Sequence, residues 1–183
     1  MAPEVSPALS LYGGRAFRQE RTRGRFFCVM AVIVLNNGEM TVAATLATLR
    51  QGVNREVGIA NQKAGKQDPI TTELVGLYAE LAFSRWANVA ADLSTHLRRG
   101  SYDATYLGYT VDVKGTRSKT SPLYLDTRPD KRPDIYVLVQ VEYATCTLVG
   151  WIFREQVCEV TGELEPKVVE RADLYAMEAL INL

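Results

Sequence analysis

The sequence predicts an α/β domain in which helices from both ends of the chain pack against a β-sheet. Three observations lead to this prediction. Apolar side chains recur at helical spacing over residues 41–61 and again over residues 68–89. Alternating or continuous apolar runs of strand length follow between residues 102 and 153. Helical spacing returns over residues 171–183, which predicts a closing helix.

The second predicted helix has the clearest boundaries. Asp68 is a suitable N-cap and Pro69 suits the first turn, with Thr71 or Thr72 as the competing cap. The helix is predicted to end at about Val89. One stripe of this helix, at steps of three and four residues, carries Glu73, Gly76, Glu80 and Ser84.

Four strands are predicted after it. Residues 102–106 and 109–113 form a predicted hairpin across a short turn near Gly108. Residues 135–141 (IYVLVQV) are apolar on both faces over most of their length, which is typical of a central strand covered on both sides. Residues 147–153 complete the set.

The N-terminal region is harder to assign. Residues 26–35 (FFCVMAVIVL) follow an arginine-rich start but fall short of the ~20 residues needed to span a bilayer. They resemble part of a secretory signal, or a β-strand that ends in a turn at Asn36-Asn37-Gly38. We favour the strand. A third interpretation leaves the residues before Met30 or Met40 outside the folded domain.

The predicted division of the chain follows from these alternatives. Residues 1–39 are assigned to an N-terminal arm or an added strand, and residues 40–183 to the main domain. The composition, with 47% apolar and 23% charged residues in a chain of 183, is typical of one globular core. The formal net charge is zero, so a nucleic-acid surface would have to be a local patch.

The cysteines favour a reducing compartment. Cys28, Cys146 and Cys158 are odd in number and lack the close spacing of a disulfide framework or zinc site. Each lies among apolar residues, so each is predicted to be a small buried hydrophobe. We expect a cytoplasmic protein without a membrane anchor.

Residues 101–116 (SYDATYLGYTVDVKGT) contain the chemically informative pattern. Because side chains alternate along a strand, Asp112 and Lys114 share one face while the flanking valines share the other. The hairpin would bring Asp103 beside Asp112. Two close carboxylates repel one another unless a cation lies between them, and Mg²⁺ prefers such oxygen ligands. A lysine alongside would orient a water molecule or hold a phosphate oxygen.

This arrangement resembles the PD-(D/E)XK nuclease superfamily, which has the restriction-endonuclease-like fold. The matching residues are Glu80 in GLYAELAF, Asp103 after Tyr102, and Asp112-Val113-Lys114, in the family's order. The first aspartate follows a tyrosine instead of the proline in the family's name. The resemblance spans residues 71–149 and implies a central mixed β-sheet flanked by helices.

The resemblance also implies the roles of these residues. Glu80, Asp103 and Asp112 would bind Mg²⁺, with Mn²⁺ as a substitute, and Lys114 would be the catalytic lysine. The chain would then be an endonuclease or exonuclease acting on phosphodiester bonds, in DNA by preference, and a homodimer is compatible with cleavage of both strands. Small domains of this kind resemble phage or mobile-element nucleases.

Two other functions remain open at this point. The same fold would serve as a nucleic-acid-binding module without catalysis, or the charged strand face would dock a protein partner. Asp112 and Lys114 alone would also fit a solvated salt bridge, and Glu73 is the rival of Glu80 as a ligand. His96 suits a surface position better than a general base. No G-x-x-x-x-G-K-S/T pattern supports ATP hydrolysis.

Basic side chains follow the predicted strand that carries Asp112 and Lys114. They form either a patch that binds phosphates or part of a solvated loop. These residues are Arg117, Lys119, Arg128, Lys131 and Arg132. Gln140 and Glu142 either line the cleft or, for Gln140, are buried with a hydrogen-bond partner.

Overall fold

The protein has an α/β architecture, and the computed structural model describes residues 30–56, 68–95, 102–125, 132–161 and 167–183. The helices are α1 (Asn37–Glu56), α2 (Pro69–Ala87), α3 (Arg154–Thr161) and α4 (Met177–Ile181). The strands are β1 (Ala31–Val34), β2 (Ala104–Tyr106), β3 (Tyr109–Thr116), β4 (Leu123–Tyr124), β5 (Ile135–Glu142), β6 (Thr145–Phe153) and β7 (Val168–Val169). The prediction of the α/β class is confirmed.

A mixed five-stranded sheet forms the centre, in the order β1-β6-β5-β3-β2. Strands β3 and β5 run parallel, and the other neighbours are antiparallel. Residues 135–139 of β5 are all buried, which confirms the predicted central strand. Strands β4 and β7 pair separately in a small antiparallel sheet.

The central sheet separates two apolar clusters. Val111 and Val113 point to the first face, where they pack with α1 and α2 in the larger cluster. Tyr136 and Leu138 point to the second face and belong to the smaller cluster. That cluster also takes residues from α3, β4, β6 and β7: Val157, Leu123, Ile152 and Val169. Because side chains alternate along a strand, neighbouring residues of β3 point to opposite faces of the sheet.

Side-chain caps define where both long helices begin. Asp68 accepts a hydrogen bond from the Thr71 backbone N–H at 2.9 Å, so the predicted start of α2 is confirmed. Helix α1 begins at Asn37, four residues before the predicted start. The predicted turn at Asn36-Asn37-Gly38 is wrong because Asn36 and Glu39 form a reciprocal capping box, with N–H···O distances of 2.7 and 3.0 Å.

The predicted hairpin is confirmed as β2 and β3. Its two turn residues, Leu107 and Gly108, both have positive φ, at 50° and 85°. This is the backbone of a type I′ turn, whose twist matches that of the flanking strands. The register pairs Ala104 with Val111.

The predicted closing helix over residues 171–183 is wrong in its middle. A 3-10 turn at Arg171–Asp173 is followed by a short extended segment and then by α4. In that segment Tyr175 exchanges two backbone hydrogen bonds with Trp151, of 2.8 and 3.0 Å. The chain can approach because Gly150 has no side chain: a Cβ there would lie 2.6 Å from the Tyr175 carbonyl oxygen. This tertiary pairing outweighs the helical pattern.

The N-terminal prediction is tested only in part. The strand is confirmed over residues 31–34, where β1 pairs with β6 at one end of the sheet. Leu35 next to it is buried. Residues 1–29 lie outside the described part of the chain. Of the described helices, none is long and apolar enough to cross a bilayer.

Cys146 is the cysteine whose side chain the structure describes, and it is buried as predicted. Cys28 and the side chain of Cys158 lie outside the described residues. Burial raises the pKa of the Cys146 thiol to about 11, and the charge of Glu39 adds to the effect.

The raised thiol pKa predicts a pH-dependent contribution of Cys146 to stability. The folded protein retains the proton to a higher pH than the unfolded chain, so the stabilisation is complete below about pH 9 and is lost as pH rises to about 11. Urea unfolding of wild type and Cys146→Ala across pH 8–11 should show their stability difference shrinking by about 2 kcal/mol. A constant difference would contradict this.

A second stability prediction concerns the contact between α2 and β3. A Cβ at Gly115 would lie 2.6 Å from the Val75 carbonyl oxygen and 3.1 Å from Ala79 Cβ, so Gly115→Ala must displace the helix. We expect a loss of about 1–3 kcal/mol in denaturant unfolding. Gly52→Ala is the matched control, since no heavy atom lies within 4 Å of its Cβ and α1 should gain ~0.5–1 kcal/mol.

Candidate functional site

Strand β3 contains two of the four predicted site residues. Asp112 and Lys114 pair in register with Tyr136 and Leu138 of β5, so both point to the second face. The Asp112 side chain is 1% exposed, and the Lys114 side chain is 27% exposed. Lys114 Nζ lies 2.6 Å from Asp112 Oδ2. The interpretation as a solvated salt bridge is therefore wrong for Asp112, whose carboxylate is buried.

Asp103 directly precedes β2, the strand that pairs with β3. Its backbone N–H donates to the Val111 carbonyl oxygen at 2.8 Å. Its carboxylate Oδ2 accepts a hydrogen bond from the Val113 N–H, also at 2.8 Å. That N–H belongs to the peptide unit directly after Asp112. The hairpin therefore holds the Asp103 carboxylate against the same stretch of β3 that carries the ion pair.

Glu80 belongs to a separate charged cluster on α2. Its Oε2 lies 3.9 Å from Arg50 Nη1, while Glu73 Oε1 is closer to the same nitrogen at 3.2 Å. Arg50 is 4% exposed and also donates to the carbonyl oxygens of Asp92 and Ser94, each at 3.0 Å. Glu73 is thus a direct partner of Arg50, and Glu80 is the more buried of the two glutamates.

The sequence prediction did not include Arg50, although a signal was available. Ala43, Leu46 and Ala47 form the buried stripe of α1. Arg50 continues that stripe at helical spacing. A basic residue on a buried helix face requires an acidic partner, and Glu73 and Glu80 are the acidic residues on the stripe of the following helix.

The structure brings Asp103 to the stretch of β3 that carries Asp112 and Lys114, but it has Glu80 on the helix that packs on the first face. Helix α2 comes very close to β3 at Gly115, where Val75 and Ala79 lie against the glycine. Glu80 follows Ala79 directly. Among the described residues, no group of three or more acidic, histidine or cysteine side chains is arranged to hold a metal ion.

The chemistry of the donors fits a hard divalent cation. Asp103 and Asp112 offer carboxylate oxygens, which are the ligands that Mg²⁺ prefers, and Mg²⁺ commonly keeps several waters with only one or two carboxylates. In this conformation the Lys114 ammonium supplies the positive charge that compensates Asp112. Asp103 and Asp112 are therefore the residues that would hold a cation, while Glu80, the predicted third ligand, lies in the Arg50 cluster on α2.

The predicted basic patch is present only in part among the described residues. Arg117, Lys119 and Arg132 are exposed, and Lys119 lies 3.4 Å from Glu142 in an exposed pair. Such surface pairs contribute little. Three predicted residues lie outside the described part of the chain: His96, Arg128 and Lys131.

Arg171 is the second residue that the sequence prediction missed. Its Nε donates to the Ser121 carbonyl oxygen at 2.8 Å, and its Nη2 donates to the Ser118 carbonyl oxygen at 2.7 Å. Its Nη1 donates to Gln140 Oε1 at 3.3 Å, so Gln140 has the hydrogen-bond partner that one interpretation expected. Burial lowers the pKa of the Arg171 guanidinium, which remains charged at neutral pH. No local pattern identifies these partners.

Comparisons with protein-family models, with curated proteins and with solved structures found no match to this chain. The interpretation of the site therefore depends on its own residues and geometry. Those are the order of the motif residues along the chain, the burial of Asp112 and the contacts that Asp103 and Lys114 make with β3.

The buried ion pair predicts a non-additive stability effect. Lys114→Met removes the ammonium from a buried carboxylate and should cost about 2–4 kcal/mol, the lower end reflecting the partial exposure of Lys114. Asp112→Leu combined with Lys114→Met replaces both charges by apolar groups and should recover most of that loss. Urea unfolding at pH 7 measures both. A double variant less stable than the single one would contradict the prediction.

Proposed function

We propose that this protein is a divalent-cation-dependent nuclease that hydrolyses phosphodiester bonds in nucleic acid, with DNA as the preferred substrate. The observation that carries the proposal is the Asp112–Lys114 pair, with an Nζ–Oδ2 distance of 2.6 Å around a carboxylate that is 1% exposed. A folding requirement alone rarely explains two charges at such a position. The Asp103 carboxylate on the adjacent Val113 N–H supports the same interpretation.

The residues have distinct proposed roles. Asp103 and Asp112 hold Mg²⁺ or Mn²⁺ together with water molecules. Glu80, the predicted third ligand, lies with Arg50 on the helix of the first face and takes no part in this conformation. The cation, when bound, supplies an activated water and stabilises the charge that builds on the phosphoryl group. Lys114 holds a phosphate oxygen or orients the attacking water through its ammonium group.

The exposure of the pair indicates how a substrate would meet it. Lys114 is partly open to solvent, while Asp112 lies behind it in the apolar second face. A phosphate therefore contacts the lysine first. Low local polarity around Asp112 strengthens the attraction between its carboxylate and any cation.

The test is cleavage of supercoiled and linear DNA with Mg²⁺ or Mn²⁺. Asp112→Asn retains the shape of the side chain but removes its charge, and it should reduce cleavage at least about 100-fold. Glu178→Gln is the matched control, because it removes an exposed carboxylate on α4, outside the proposed site. EDTA should abolish cleavage by the wild type.

Two outcomes would reject the nuclease assignment. One is wild-type protein that cuts none of these substrates with either metal, and the other is full activity of Asp112→Asn. Circular dichroism of each variant ensures that a loss of cleavage is not a loss of fold.

A non-catalytic nucleic-acid-binding module of the same architecture is the second candidate. The observation in its favour is that the Lys114 ammonium already compensates Asp112, while no three-residue metal group is found among the described residues. This candidate predicts DNA binding that needs no cation, with no cleavage by wild type or by Asp112→Asn. Calorimetric titration with Mn²⁺ should then show no binding.

A further inference from the structure

Arg171 has hydrogen-bonding capacity beyond the contacts that fix it. A guanidinium group carries five N–H donors, of which Nη1 and Nη2 have two each. The described partners take one donor on each nitrogen: the carbonyl oxygens of Ser121 and Ser118, and Gln140 Oε1. One N–H remains on each terminal nitrogen. Donors of a charged guanidinium form strong hydrogen bonds with phosphate oxygens.

The charge of Arg171 lacks an acidic partner in the described structure. All three of its acceptors are neutral oxygens. Glu170 and Asp173 flank it in the chain, but neither forms an ion pair with it among the residues that the structure describes. Burial also lowers its pKa, which shows that the charged form is partly desolvated. A half-buried cation of this kind gains from a bound anion.

The guanidinium lies over the same sheet face as the candidate catalytic pair. Gln140 pairs in register with Thr116, which shares the second face with Asp112 and Lys114 by strand alternation. At ~3.3 Å per residue, Thr116 is about 13 Å along β3 from Asp112. A polynucleotide strand advances ~3.4 Å per nucleotide, so this distance corresponds to a few nucleotides.

The loop after β3 adds two further positive charges beside Arg171. Arg117 and Lys119 are exposed, and the ion pair of Lys119 with Glu142 at 3.4 Å is a weak surface pair with which a phosphate can compete. The loop is ordered by its own hydroxyl groups: Ser118 Oγ accepts from the N–H groups of Thr120 and Ser121 at 3.2 and 3.0 Å. Since Arg171 also binds two carbonyl oxygens of this loop, the backbone of residues 117–119 is held in place next to Arg171. Ordered positive groups bind phosphates at a lower entropic cost.

We propose that Arg171, with Arg117 and Lys119, forms a phosphate-binding subsite that holds the nucleic-acid backbone a few nucleotides from Asp112. The subsite deepens the proposed function and rests on it for the choice of nucleic acid as ligand. Its role is to bind and position the strand, while Asp112 and Lys114 act at the bond that is cut.

The test is fluorescence anisotropy with labelled single-stranded and duplex 20-mers in EDTA, which prevents cleavage, over a series of salt concentrations. Arg171→Gln should weaken binding about 5–10-fold and lower the slope of log affinity against log salt by about 1. Arg171→Lys retains the charge but not the paired donors, so it should bind between wild type and Arg171→Gln.

Two further variants separate binding from folding. The double variant Arg117→Gln/Lys119→Gln changes only exposed side chains and should lower the salt slope by about 1–2. Arg85→Gln is the matched control, since it removes one charge that is 46% exposed on α2, which packs on the first face, and it should change affinity less than 2-fold. If Arg171→Gln fails to fold, the double variant decides the outcome.

The subsite and the nuclease assignment fail in different ways. Loss of affinity in the Arg171 and loop variants without any cleavage by wild type supports the subsite and rejects the nuclease. Suppose instead that cleavage depends on Asp112, while Arg171→Gln and the double variant bind DNA as well as the Arg85→Gln control does. This result overturns the subsite alone. Where cleavage occurs, Arg171→Gln should raise KM several-fold and leave kcat near the wild-type value.

Discussion

The Asp112–Lys114 ion pair is the constraint around which the central sheet is organised. The two faces of its strand, β3, have different surroundings. The first face packs against the apolar side of α2, while the second carries the charged pair. Strand alternation solves this by placing Val111 and Val113 against the helix. Desolvating two charges is costly, and a well-packed apolar pair would be at least as stable. The proposed function would account for this cost.

Two arginines distribute charge around this strand in different ways. Arg50 is buried between the first two helices and is neutralised by Glu73, with Glu80 beside it. Arg171 is held by neutral oxygens and keeps its charge available. Both bind carbonyl oxygens of chain segments without regular structure, and both therefore position loops. The first stabilises the region around the glutamates, and the second fixes the loop that follows the motif strand.

The charged groups on the second face of the sheet follow a fixed order along β3. Asp112 lies in the middle of β3 with the Asp103 carboxylate against it from the neighbouring segment, Lys114 follows, and Thr116 pairs with the Gln140 that binds Arg171. Charge changes from negative to positive along one strand. A ligand that contains both a bound cation and regularly spaced phosphates matches this order, and a nucleic-acid backbone with a divalent cation is such a ligand.

The amino-acid sequence alone determined the features that depend on neighbours in the chain. Helix α2 with its Asp68 cap, the hairpin of β2 and β3, and the buried strand β5 follow from caps, turn residues and apolar periodicity. The shared face of Asp112 and Lys114 follows from strand alternation alone. The start of α1 is also encoded locally, in Asn36 and Glu39, although the Asn-Asn-Gly sequence predicts a turn there.

Only the tertiary structure decided the contacts between distant segments. Tyr175 leaves the predicted helix to pair with Trp151, and Arg171 finds oxygen acceptors about 30 to 50 residues away. The burial of Asp112 depends on the second apolar cluster, and the position of Glu80 depends on Arg50. Periodicity describes which face a side chain occupies, but not what covers that face. That depends on how segments distant in sequence pack together.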